Sequence, residues 1–464
     1  MLIRPFYLAC LAHASYLLGD ERTKTAVVVD PQRDVDGYVR EAERLGLTIK
    51  HVMLTHFHAD FVAGHLELRD RCGARIHLGA SAEADYLFSP LEDGARLAFG
   101  SLGIGVLATP GHTPEGVCLA VYDLDADAEK PTAVLTGDTL FIGDVGRPDL
   151  MASIGFKAED LAGMLYDSLK TKLMTLPDET LVYPAHGAGS ACGKNMSDER
   201  VSTIGEQKRY NYALKAKSKS EFIALVTADQ QEAPAYFAHD AEMNRREHGT
   251  LDAALAALPE LTVAETERLA KDGALLLDSR DPADFAGSHW RGALNVGLDG
   301  KFATWAGSVV DRERPVVVIA AAGREQESVL RLFRVGVDRV AGVLRGGMLA
   351  LGSREDLVER TPRATARALA ESLAGRDAPL VVDVRTDAER AEGFIAGSLH
   401  LPLSQWPRRI AEIPAGRPVA VYCAGGFRSS IAASMLRASG RSRVTDLVGG
   451  FAAWREEQLP VASA

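Results

Sequence analysis

The sequence predicts a multidomain protein of α/β and α+β class, and three observations lead there. The chain has 464 residues, against a usual domain size of about 150. Residues 1 to about 245 alternate short apolar runs with helically spaced segments, so strands and helices share one domain. From about residue 260 onward the chain repeats itself at an offset of about 103 to 110 residues, far too long for a solenoid and the size of a small domain.

The repeat is specific. Leu275-Leu276-Leu277-Asp278-Ser279-Arg280 returns as Leu380-Val381-Val382-Asp383-Val384-Arg385. Phe285-Ala286-Gly287-Ser288 returns as Phe394-Ile395-Ala396-Gly397-Ser398, and Gly346-Gly347-Met348 as Gly449-Gly450-Phe451. Each copy alternates strand-like and helix-like runs, which predicts a small α/β domain with a mostly parallel sheet. The expected boundaries are 1–245 for the first domain, 246–260 for a linker, and 261–357 and 358–464 for the two copies. Residues 230–249 are polar and irregular, and read as a linker or an arm.

Apolar content of 47% and charged content of 25% leave enough material for several cores. A net charge of -11 argues against nucleic acid or an anionic membrane as partner. Cys10, Cys72, Cys118, Cys192 and Cys423 are few, scattered and odd in number, so no disulfide framework is expected and a cytoplasmic location is. No run approaches the roughly 20 apolar residues of a membrane span. The start of the chain has the outline of a short signal peptide, but its apolar run is brief and only Arg4 precedes it. Residues 6–18 are therefore read as a strand or hairpin arm.

Within the first domain, residues 26–29 form a strand stopped by Pro31, and residues 35–45 have helical spacing before Gly46. The apolar run Val52-Met53-Leu54 then leads into Thr55-His56-Phe57-His58-Ala59-Asp60-Phe61, ahead of a helix ending at Gly73. A strand-to-helix loop crowded with imidazole and carboxylate groups is a metal-site signal. Pro110-Gly111-His112 and Gly137-Asp138 add ligand-capable residues just after strand-like runs, and Pro184-Ala185-His186-Gly187 is a further polar loop. His56, His112 and Asp138 make a two-histidine, one-carboxylate set suited to non-haem Fe(II). Adding His58 gives a nitrogen-rich zinc site, and adding Asp60 and His186 gives two bridged metals for hydrolysis. Phe61 cannot ligate, which weighs for a single metal. His51, His65 and His77 are read as structural or surface residues.

His56-Phe57-His58-Ala59-Asp60, His112, Asp138 and His186 resemble the metallo-β-lactamase fold family. Gly143-Asp144-Val145-Gly146-Arg147-Pro148-Asp149 and Tyr183-Pro184-Ala185-His186-Gly187 make the persulfide dioxygenases its closest branch. The resemblance implies an αββα sandwich holding one Fe(II) on His56, His112 and Asp138. His58, Asp60 and His186 would orient those ligands or hydrogen-bond substrate. The implied reaction oxidises glutathione persulfide, or a similar small persulfide, with O2 to sulfite and thiol. Phe61 departs from the general pattern and puts dinuclear hydrolysis of the glyoxalase II type in doubt. Arg147 is expected either to clamp a substrate carboxylate or to pair with Asp144 or Asp149. Cys192, in Gly189-Ser190-Ala191-Cys192-Gly193, is either a buried structural thiol or a reactive, sulfur-handling one.

In the second copy, Tyr422-Cys423-Ala424-Gly425-Gly426-Phe427-Arg428 joins a strand to a helix. A glycine-rich turn there points backbone N–H groups inward, and the helix N-terminus adds positive potential, so a thiolate or persulfide is stabilised. The Cys-x-x-Gly-x-Arg loop resembles the rhodanese family. A cysteine phosphatase has five residues between Cys and Arg, one more than Cys423 and Arg428 leave. The first copy places Ala320 and Glu325 where the second has Cys423 and Arg428, so it is expected to be inactive. The whole order resembles persulfide dioxygenase–sulfurtransferase fusions of sulfide detoxification, which implies transfer of sulfane sulfur from Cys423 to sulfite to give thiosulfate. A homo-oligomer, dimer or tetramer, is expected.

Overall fold

The computed structural model describes residues 1–150, 155–230 and 232–463. The chain divides into two compact units, Met1–Ala254 with Phe333–Gly336, and Leu255–Leu332 with Val337–Ala464.

The first unit is built on two six-stranded sheets. One holds Leu2–Leu8, His13–Asp20, Thr25–Val29, Thr48–Met53, Arg75–Gly79 and Ser89–Leu91 in chain order. Its first three strands are antiparallel and the later pairings parallel. The second sheet runs Arg96–Phe99, Leu102–Ala108, Val117–Asp123, Ala133–Gly137, Leu181–Pro184 and Ser202–Thr203. Side chains alternate across Val117–Asp123, as the pleat requires. Val117, Leu119 and Val121 join Val27, Val29 and Met53 in a core between the sheets. Cys118 faces the opposite way, into a core completed by Leu165, Phe222 and Val226 of the helices Ala158–Ser168 and Lys219–Thr227. On the first sheet, the helices Asp36–Arg44 and His65–Cys72 pack against Thr48–Met53. The layers are helix, sheet, sheet, helix.

This topology gathers the candidate residues. Ala133–Gly137 is parallel to Leu181–Pro184, and Leu102–Ala108 is two antiparallel steps away, so all three strands end at one edge. His112, Asp138 and His186 follow those ends. The start of the chain is a hairpin of Leu2–Leu8 and His13–Asp20, in agreement with the strand reading. The stretch 230–249 is not merely irregular. It contains the helix Phe237–Met243, too short for its spacing to declare itself in a polar context.

The second unit holds two five-stranded parallel sheets of identical order. The first runs Glu260–Leu261, Val340–Leu344, Val316–Ile319, Leu275–Asp278 and Leu294–Asn295; the second runs Arg363–Ala364, Val444–Leu447, Val419–Tyr422, Leu380–Asp383 and Leu399–His400. Each sheet has its own core, one around Phe285, Trp290 and Ile319, the other around Tyr422, Phe451 and Trp454. The copies also touch. Asn295, fully buried, donates its backbone N–H to Ser434 Oγ at 2.9 Å and accepts from Ser430 Oγ at 2.8 Å. Both serines lie on the helix Phe427–Ala438 that follows the cysteine loop.

Candidate metal centre and nucleophile loop

The first cluster is set by hydrogen bonds that fix protons as well as positions. Thr55 donates its backbone N–H and its hydroxyl to the Asp30 carboxylate, both at 2.8 Å. With its one proton so spent, Thr55 Oγ1 accepts from His56 Nδ1 at 3.0 Å. The Arg147 carbonyl accepts from His112 Nδ1 at 2.8 Å, and the Ala12 carbonyl from His186 Nδ1 at 3.3 Å. Each imidazole therefore carries its proton on Nδ1 and turns an Nε2 lone pair inward. The three Nε2 atoms lie 3.8 Å (His56), 3.4 Å (His112) and 3.6 Å (His186) from the Asp138 carboxylate. Among the described residues neither Asp138 oxygen has a hydrogen-bond partner, although the residue is 1% exposed. A buried carboxylate facing unprotonated nitrogens is costly unless a cation joins them, so the donor set fits a metal ion.

Among the described residues three groups each bring their ligand atoms within 4.8 Å: His56, His112 and Asp138; His58, Asp60 and His186; and Asp138, His186 and Cys192. The predicted residues are thus brought together. Burial holds His56 neutral, far below the usual imidazole value, with the neighbouring histidines adding to the effect. His58 behaves differently. Burial works against its protonation, but the Asp30 carboxylate, 3.0 Å away, raises its pKa overall. Burial raises Asp60, and it pushes the Cys192 thiol well up, helped by Asp60 and Asp138. Gly137 lets Asp138 approach: its φ is +50°, and a Cβ there would lie 2.5 Å from Thr55 Oγ1.

Arg147 faces a carboxylate of its own loop. Its guanidinium grips Asp149 in a fork at 2.8 and 2.7 Å and donates to the Ala191 carbonyl, so the ion-pair alternative is the one realised. Its backbone N–H reaches the Cys192 carbonyl at 3.1 Å, which ties the thiol's loop to the His112 anchor. His51 and His77 bond to each other at 3.0 Å, apart from the cluster, and His65 is buried against Tyr86.

Sequence reasoning missed two participants. His13 is buried with its ring 4.1 Å from Phe61 and 5.5 Å from His186, and its pKa is far below normal through burial and His186. Only the hairpin brings it there, through the pairing of His13 with His186. Asn244, fully buried, donates to the carbonyls of His58 and Phe61 and accepts from the Ala63 N–H, all at 2.8 Å. No local spacing marked it.

In the second unit, Cys423 follows the strand Val419–Tyr422 and its sulfur accepts from the Gly426 N–H at 3.0 Å. Ser429 Oγ lies 3.6 Å from the sulfur and donates to the Gly426 carbonyl. The loop's outward carbonyls are held by the next helix: Phe451 N–H meets Cys423 O at 2.7 Å and Ala452 N–H meets Ala424 O at 3.0 Å. A Cβ on Gly450 would sit 2.3 Å from Cys423 O, so glycine is required there. Arg428 pairs with Glu389 at 2.7 and 2.5 Å. Burial alone would raise Glu389, but Arg428 and Thr386 bring it down to about 2. In the first copy the corresponding strand end carries Ala320, and Glu325 opens the helix Glu325–Phe333.

Comparison with known proteins follows the same division. Residues 8–186 match the metallo-beta-lactamase superfamily model, and residues 262–353 and 365–457 each match the rhodanese-like domain model. The mitochondrial persulfide dioxygenase of Bos taurus is 33% identical over 220 residues, 46% of this chain and 75% of that protein. The Homo sapiens counterpart is 31% identical over 232 residues, 49% of this chain and 80% of that protein. A hydroxyacylglutathione hydrolase of Haemophilus influenzae is 28% identical over 228 residues, 44% of this chain and 94% of that protein. Among solved structures, a metallo-beta-lactamase from Staphylococcus aureus superposes with a TM-score of 0.66 at 29% identity, over 74% of this chain and 98% of that one.

Proposed function

From a chain that belongs to the metallo-beta-lactamase superfamily, with persulfide dioxygenase homologues, and that carries two rhodanese-like domains behind that half, we propose a persulfide dioxygenase joined to a sulfurtransferase. The substrate is a low-molecular-weight persulfide, glutathione persulfide or a similar one. One persulfide, one O2 and one water give one sulfite, one thiol and two protons.

His56, His112 and Asp138 are the residues that would hold one Fe(II). Such an ion, when bound with open positions, supplies the redox chemistry that joins persulfide sulfur to O2. The observation that carries the reading is the convergence of two Nε2 lone pairs and an unpartnered carboxylate, beside a loop where Phe61 offers no ligand. Thr55 and the Arg147 carbonyl keep the two imidazoles in the required tautomer. His58 is held by Asp30, while Asp60 and His186 flank the cluster and orient what enters it. The Cys192 thiol lies beside Asp138 and His186, where burial and the two carboxylates Asp60 and Asp138 keep it protonated, which supports its reading as a buried structural thiol of the site.

At Cys423 a second low-molecular-weight persulfide gives its outer sulfur to the Sγ thiolate and leaves as the thiol. The transfer step then breaks the S–S bond of the cysteine persulfide so formed. Its electron pair stays on Sγ as thiolate, and the outer sulfur bonds to sulfite to form thiosulfate. The Gly426 N–H, 3.0 Å from Sγ, stabilises the departing thiolate. The first copy, with Ala320 in place of the nucleophile, takes no covalent part.

Two variants separate the activities. His112→Ala is expected to abolish O2 uptake with glutathione persulfide. Cys423→Ser is expected to spare uptake and sulfite formation while removing thiosulfate. Loss of O2 uptake in Cys423→Ser would contradict this division of labour.

A second reading, thioester hydrolysis of the glyoxalase II type, is favoured by the His58, Asp60 and His186 group and by the hydroxyacylglutathione hydrolase likeness. It requires S-lactoylglutathione hydrolysis by the zinc-loaded enzyme. The absence of that hydrolysis would remove it.

A further inference from the structure

Beside the metal cluster the first unit has a partly open cleft of about 40 Å³. Phe57, Leu150, Phe237 and Ala241 make its wall apolar, His112 shares that wall, and Arg245 supplies its cation. The Arg245 guanidinium lies over the Phe57 ring, 5.2 Å from the ring centre. Its Nε is buried and has no hydrogen-bond partner among the described residues. Glu242, the carboxylate in the same wall, is held by Arg246 at 2.6 Å. Arg147, the arginine that the sequence offers for substrate, is engaged by Asp149.

The position of Arg245 is fixed by its neighbours. Asn244, the preceding residue, has three hydrogen bonds to the backbone of the metal loop, and the Arg245 carbonyl accepts from the Asp85 N–H at 2.8 Å. A planar cation stacked on an aromatic ring, with a buried donor unused, is pre-organised for a bidentate anion. The apolar wall between it and His112 suits the uncharged body of a ligand whose reacting atom lies at the metal.

We propose that Arg245 is the subsite for an anionic group, carboxylate or phosphate, on the thiol that carries the persulfide. This deepens the persulfide dioxygenase reading and rests on it. It makes Arg245 a specificity-determining residue: it selects persulfides with a charged tail over short uncharged ones.

The test uses the full-length iron-loaded protein, wild type, Arg245→Met and Arg245→Lys. Initial rates of O2 uptake are measured with glutathione persulfide, coenzyme A persulfide and the persulfide of 2-mercaptoethanol. Binding of the parent thiols, glutathione and coenzyme A, is measured separately by calorimetry. Arg245→Met is expected to lower the preference in kcat/KM for the charged over the uncharged persulfide roughly 10- to 100-fold, with the loss in KM, and to weaken thiol binding to match. Arg245→Lys is expected to recover part of it. Dependence on Arg245 for glutathione identifies a carboxylate, and dependence for coenzyme A alone identifies a phosphate. An unchanged preference in Arg245→Met, or an equal loss for charged and uncharged persulfides, overturns the proposal. Thiol binding that depends on Arg245 in a protein without O2 uptake would uphold the subsite and reject the dioxygenase reading instead.

Discussion

A single hydroxyl decides much of the metal centre. Because Thr55 gives its proton to Asp30, it can only accept from His56, and so the imidazole keeps its Nε2 lone pair for a cation. Replacing it with valine preserves shape and removes the acceptor. Thr55→Val is expected to weaken iron binding by roughly 10- to 100-fold in a chelator competition, with the fold intact by circular dichroism. Unchanged affinity would show that the tautomer is set otherwise. At this scale the sequence was informative where residue types were unusual for their place. Clusters of histidine and aspartate behind strands, and a cysteine in a glycine turn, declared themselves. His13 and Asn244 did not, since an isolated histidine or asparagine has no local pattern and acts only through neighbours 173 and 181 to 186 residues distant. Arg147 could be read two ways, because sequence alone does not say whether Asp149 bends back to meet it; the fork at 2.8 and 2.7 Å does.

Among elements, the helix Phe427–Ala438 joins the Cys423 loop to the first copy of the duplicated domain. Its first turn closes the Cys423 loop, while Ser430 and Ser434 on the same helix bond to Asn295 of the first copy. The Asn295 amide also donates to the carbonyls of Asp278 and Arg280, both at 3.0 Å. The copy that lacks a nucleophile therefore helps fix the helix behind the nucleophile of the other. Asn295→Ala leaves the buried Ser430 hydroxyl and the Arg280 carbonyl without the amide and takes one of two donors from the Asp278 carbonyl, which keeps the Val296 N–H, at a cost of about 2–3 kcal/mol. For a unit of this size the thermal midpoint is expected to fall by roughly 4–12 °C, measured by calorimetry. A midpoint unchanged within error would mean that the copies do not depend on this contact. Strands and parallel order in both copies were legible, because Val-, Leu- and Ile-rich runs bounded by glycine and proline leave little choice. The helix Phe237–Met243 was not, since seven residues, with Asp240 buried, break the usual apolar stripe.

For the whole molecule, the chain's order follows its chemistry: a metal centre in the first unit and a cysteine loop in the second. The duplication was readable directly, and so was the difference between its copies, because Ala320 and Glu325 fall in register with Cys423 and Arg428. Among the described residues no helix is long and apolar enough to cross a membrane. The choice of metal was the least legible feature, since the same histidine and aspartate positions serve oxidation with iron or hydrolysis with zinc. The measurement that tests the central claim most directly is O2 consumption with glutathione persulfide, comparing protein loaded anaerobically with Fe(II) and with Zn(II). The account predicts uptake in the iron form only, with sulfite accumulating in step. Equal behaviour of the two forms, with no uptake in either or with thioester hydrolysis in the zinc form, would contradict it.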